Sequence, residues 1–236
     1  MTNNPKINVK FDGKTNAEAL ADNAIQNFKI AFCKTQGCSF PEEINLNLFA
    51  TKSEYENYFE ANHVNPIKQA QHFTLAKSGD EFDVYSYLDR QKSEYSDLSI
   101  KRGVAHALIE NNEKWGKVLP TSFKVGIADY VAGLDEYGFV QNNNDDKRDF
   151  EEIKKYSLHL NEILGNSKRG GVAEQAVKFL ESRHGRDLDR LLHEIDNETV
   201  KEGRSSVNQF IEDMGEYNGE FSSWVADQLQ DPYNFI

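Results

Sequence analysis

The sequence predicts an α+β fold with a small mixed sheet and helices in its N-terminal part and an all-helical C-terminal part. Three observations carry this. The run Ile44-Asn45-Leu46-Asn47-Leu48-Phe49 alternates apolar and polar residues, as a half-buried strand does. Two further strands, 72–76 and 82–88, flank Lys77-Ser78-Gly79-Asp80, whose glycine and aspartate suit a tight reversal. From about Tyr95 onward the apolar spacing is helical almost to the end.

The elements follow in order. Ala17, Leu20, Ala21, Ala24, Ile25, Phe28 and Phe32 recur at helical intervals over 16–32, with Thr15 or Asn16 as the cap. A second helix over 52–60 opens with the capping-box pattern Thr51-Lys52-Ser53-Glu54. A helix over 99–111, a turn at 116–120 and a helix over 122–134 come next. The polar segment 141–146 reads as an exposed loop, and the acidic text around Asp145, Asp146 and Asp149 reads as a solvated helix start. Helices over 150–164, 171–184, 187–195 and 207–229 complete the chain, with Gly165, Gly185, Gly203 and Pro232 as stops. The expected organisation is an α+β subdomain over 1–112 and a helical subdomain over 113–236, together forming one unit.

Composition narrows the function. The formal net charge is −12 over 236 residues, with the acids scattered, so a phosphate backbone is repelled and nucleic acid is not the expected partner. No apolar run reaches the length of a membrane span, and the opening residues carry no signal-peptide pattern. Cys33 and Cys38 flank Gly37, and either a local disulfide or two reduced thiols fits that spacing. Cys33 as a nucleophile has only Lys34 beside it in its favour. His63, His72, His106, His159, His184 and His193 include no HxxxH pair, and His184 and His193 read as surface or helix-end residues.

Two segments carry the functional argument, Arg102-Gly103-Val104-Ala105-His106 on one helix and Val125-Gly126-Ile127-Ala128-Asp129-Tyr130 on the next. With the upstream strand and helix and the late segment AVKFLESRHGRDLDRLL, they resemble the gluzincin metallopeptidases over 16–192. Within that group the likeness is to the catalytic domain of bacterial collagenase-type enzymes. The resemblance implies a zincin-like fold, and in that family a helix carries HExxH while a second carries N-E-G-x-A-E-Y. Two histidines one turn apart share zinc with a glutamate from the second helix, and the glutamate after the first histidine activates the bound water.

In this sequence Arg102 stands at the first histidine, Gly103 at the catalytic glutamate and Val125 at the ligand glutamate, leaving His106 alone. Asp129 matches the acid of A-E-Y and is expected to support the site from outside the ligand set, beside Tyr130. His106 itself is expected to be a buried, hydrogen-bonded core residue. Zinc is therefore not expected, and no catalytic residue is. The resemblance implies a peptidase-like scaffold kept for binding a protein or peptide; a separate reading, from the acidic, asparagine-rich text, is a structural domain of a larger secreted or host-delivered bacterial protein. His72, Phe73 and Thr74 are the expected edge strand that pairs with an extended peptide. The rival reading is a hydrolase that uses His106, Asp129 and Tyr130 without zinc.

Overall fold

The computed structural model describes residues 4–11, 15–33, 38–69, 73–88, 93–134, 144–166 and 170–230. Its N-terminal part runs β1 (Lys6–Lys10), α1 (Ala17–Phe32), β2 (Glu43–Phe49), α2 (Lys52–Asn62), β3 (Pro66–Gln69), β4 (Phe73–Ser78) and β5 (Glu81–Tyr87). Helix α1 forms because its apolar residues share one stripe, with Ala17, Ala21, Ala24, Ile25 and Phe28 all buried. The Thr15 hydroxyl accepts the Ala17 amide at 3.2 Å, whereas Asn16 makes no side-chain cap. Thr51 caps α2 as expected, accepting the Glu54 amide at 3.2 Å while Glu54 accepts the Ala50 amide at 2.9 Å.

The strands form one sheet in the order β1-β2-β5-β4-β3. β1 with β2 and β2 with β5 are parallel, and β4 is antiparallel to both β5 and β3, so the sheet is mixed. The β4–β5 reversal passes through Gly79 at φ 63°, a backbone that glycine adopts freely. One face, with Ile44, Leu46, Leu75, Phe82 and Val84, belongs to the main core. On the other face α2 covers a small aromatic core of Tyr55, Tyr85 and Tyr87 with Phe49, Tyr58 and Phe59. Toward β1 that second face is a polar ladder, Asn8 to Asn45 at 3.1 Å and Asn47 to Asp83 at 3.2 Å.

The expected edge strand is a correction. β4 is an inner strand, because β3 pairs along it with Lys68 opposite Leu75 and Gln69 opposite Thr74. Phe73 and Thr74 are buried, and the Thr74 hydroxyl is bonded to that of Tyr55 at 2.6 Å. His72 lies outside the described residues. The outermost described strand on this side is β3, which Pro66 and its four-residue length conceal in the sequence.

The helical part comprises α3 (Ser93–Asn111), α4 (Glu113–Val118), α5 (Thr121–Gly133), α6 (Asn144–Tyr156), α7 (Leu160–Asn166), α8 (Gly170–Asn197), α9 (Val200–Asp213), a 3-10 turn (Met214–Tyr217) and α10 (Asn218–Gln230). The turn expected at 116–120 is largely helix α4, because the Asn112 carboxamide accepts the Lys114 and Trp115 amides and starts it. The helix expected over 150–164 is broken at Ser157, whose φ is 49°. Conversely α8 runs through both predicted helices with a kink at His184, and Gly203 is a buried contact against Val118 inside α9 rather than a stop.

The loop reading of 141–146 also changes. Residues 141–143 lie outside the described residues, and α6 begins at Asn144. Asp146 is 3% exposed, held by Lys178 at 2.6 Å and by the Gln175 amide at 2.6 Å. A single apolar cluster includes Leu46 and Val84 of the sheet, Val104 and Leu108 of α3 and Phe123 of α5, so no packing boundary falls at 112/113. No described helix is long and apolar enough to cross a membrane.

Candidate functional site

Helix α3 lies between the sheet and α5, and the residues singled out in the sequence fall on different sides of it. Gly103 faces the sheet: a Cβ there would sit 2.4 Å from Cγ1 of Val84 and 3.6 Å from Phe73, so the missing side chain allows the helix to rest on β5. The position that the resemblance gives to the catalytic glutamate thus has no room for one in this packing. Gly126 is the corresponding contact on α5, where a Cβ would meet the Ala173 carbonyl oxygen of α8 at 2.5 Å. Tyr130 is turned to α1, edge-on to Phe32 at 6.1 Å, and burial raises its phenol above the ordinary value.

Arg102 and Asp129 do converge. The Arg102 Nε lies 2.9 Å from Oδ1 of Asp129, joining α3 to α5, with side chains 29% and 10% exposed. Burial pushes the Asp129 carboxyl up to about 6, helped by Glu174, while the charges of Arg102 and Lys68 pull the other way. Val125 is half-buried one turn earlier and offers no ligand atom.

His106 is 3% exposed and packs against Phe73 with the rings tilted by 31° and their centroids 5.5 Å apart. It is buried as expected, but Nδ1 has no hydrogen-bond partner. Burial first, then the charges of Lys68, Lys124 and Arg102, lower the imidazole to about 3, so it is neutral at physiological pH. Lys68 and Lys124 were not foreseen. Lys124 donates to Glu110 at 2.6 Å and to the Gly116 carbonyl at 2.9 Å, and Lys68 stands on β3, a strand without a sequence signal.

The donor set does not fit zinc. Arg102 brings a permanent cation, Val125 has no donor, and Asp129 is engaged by Arg102. Among the described residues no three His, Cys, Asp or Glu side chains gather as a metal site.

The pH dependence follows from His106. Its folded value lies below the ordinary value of 6.5, so between about 6.5 and about 3 the unfolded chain binds the extra proton and stability is lost on acidification. Asp129 opposes this, because its raised value makes the folded state the stronger proton binder between 3.8 and about 6. Comparison with a variant separates the two. The stability of wild type relative to His106→Gln, from urea unfolding, is expected to fall by an amount on the order of 1 kcal/mol or more between pH 7 and pH 5. A pH-independent difference would mean that the imidazole is not held neutral.

Elsewhere the structure corrects two readings. Cys33 and Cys38 form a disulfide, which removes Cys33 as a free nucleophile. His184 is partly buried at the α8 kink, 4.0 Å from the Tyr217 ring and 3.4 Å from Glu220, while His193 is exposed. A surface recess of about 380 Å³ beside Thr199, Lys201 and Glu202 lies at the start of α9, where Thr199 and Glu202 already satisfy each other as a capping box. No protein-family model matches the chain, and no curated protein sequence matches it.

Proposed function

We propose that this chain is a metallopeptidase-like domain of zincin type that has lost its metal site and serves as a protein- or peptide-binding module. The observation that carries the reading is the Arg102–Asp129 ion pair. On the resemblance, the A-E-Y acid would support a metal-bound histidine; here it holds the arginine that takes that histidine's place. The guanidinium supplies the positive charge that a buried carboxylate requires, so the two helices stay joined without a metal. The order of elements, a mixed sheet followed by α3 and α5, agrees with a retained scaffold.

The rival hydrolase reading is weaker. A base must bind a proton near the working pH: the His106 imidazole, lowered to about 3, is poorly matched to that task, and the Asp129 carboxyl, although raised to about 6, is held by Arg102 at 2.9 Å. A binding module instead needs an accessible surface, and β3 is the outermost described strand on the side of α3, with Ile67 48% exposed.

Metal analysis and a peptidase assay test the proposal. The purified chain is expected to hold well below one equivalent of zinc and to cleave no peptide library, with or without added metal. About one equivalent of zinc, with cleavage abolished by a chelator and by His106→Ala, would overturn it.

A further inference from the structure

The surroundings of His106 have the wrong sign for a metal and the right sign for an anion. Lys68, Arg102 and Lys124 come from three different elements, and all three act on the His106 ring. Two of these cations are answered within the protein, Arg102 by Asp129 at 2.9 Å and Lys124 by Glu110 at 2.6 Å. Among the described residues Lys68 has no such partner: it is half-buried, and none of their carboxylates lies within ion-pair distance of its ammonium.

The register shows where that ammonium stands. Lys68 is opposite Leu75, and directly opposed residues of an antiparallel pair project to the same face. Leu75 and Phe73 are buried in the main core on the side of α3, and Phe73 is the ring against which His106 packs. Lys68 therefore reaches over the sheet edge toward α3 and α5, where burial first lowers its ammonium and the charges of Asp129, Lys124 and Glu110 also act on it. The second signal is the Nδ1 of His106, whose ring lies against Phe73: it is buried and, among the described residues, without a hydrogen-bond partner. A buried polar atom left open costs free energy unless a ligand or water completes it.

We propose that Lys68, with Arg102 and His106 behind it, forms an anion site that takes a carboxylate of a peptide lying along β3. The Lys68 ammonium is the anchor. The inference rests on the peptide-binding reading above and adds the group that is recognised. A carboxylate can come from an acidic side chain or from a peptide C-terminus, and both have the same chemistry.

The test is a titration of the isotope-labelled full chain with three short peptides, followed by NMR. One carries a central glutamate and blocked ends, one the same sequence with glutamine, and one no acid but a free C-terminal carboxylate. At least one carboxylate peptide is expected to shift the Lys68 and Gln69 amides and the His106 ring signals, and to bind about tenfold more tightly than the glutamine peptide. The stronger of the two carboxylate peptides identifies the source. Lys68→Gln is expected to abolish the preference, and Lys10→Gln, on the opposite edge strand, to leave it intact. Equal binding of the glutamine peptide along β3, or an unchanged preference in Lys68→Gln, overturns the anion site while leaving peptide binding in place. Absence of any perturbation along β3 overturns both.

Discussion

Lys178→Met is expected to destabilise the fold by about 3–5 kcal/mol at pH 7, the cost typical of removing one partner from a buried ionic group. The Lys178 ammonium lies 2.6 Å from Asp146 and 3.0 Å from Glu174, and its side chain is 4% exposed. Burial would push the ammonium down, but the Glu174 and Asp146 charges outweigh it and its value is raised. Methionine fills the volume and removes the charge, leaving two carboxylates facing each other in the α6–α8 interface. Their repulsion is relieved by proton uptake, so the variant's deficit should shrink between pH 7 and pH 5. Urea unfolding at the two values measures this, and Lys178→Met combined with Asp146→Asn and Glu174→Gln should recover most of the loss. A pH-independent deficit of under about 1 kcal/mol would mean that the network is solvated and contributes as a surface pair does.

That network also shows what the sequence conceals. Asp146 stands in acidic, asparagine-rich text that resembles a solvated helix start, and its burial is decided by Lys178, 32 residues later on α8. Elements with internal periodicity were legible, among them α1, β2 and α5, because each carries its own buried face. β1 and β3 were not, since short strands at the sheet margins owe their identity to pairing rather than to their own pattern. The same limit explains the site. The placing of Arg102 and Asp129 on two separate helices was readable, and the two side chains do meet. The close approach of Gly103 to Val84 depends on how deeply α3 settles on β5, and the role of Lys68 depends on a cross-strand register. Neither quantity is local.

Arg102→Met is expected to cost about 2 kcal/mol at pH 7.5, less than a fully buried pair would lose because the guanidinium keeps some contact with water. The variant leaves the Asp129 carboxylate, on a side chain 10% exposed, without its 2.9 Å partner. Burial already lifts that carboxyl to about 6, and loss of the arginine removes the largest force holding it down. Its folded value must then rise further. A carboxyl raised on folding contributes stability below its unfolded value and loses it as pH rises through the folded one. The variant should therefore lie closest to wild type near pH 4–5 and furthest from it above pH 7. Arg102→Met with Asp129→Asn should recover most of the loss, and the double-mutant cycle should return a coupling on the order of 1–2 kcal/mol. A coupling near zero, or a deficit that does not grow with pH, would mean that the Arg102–Asp129 ion pair does not hold α3 and α5 together.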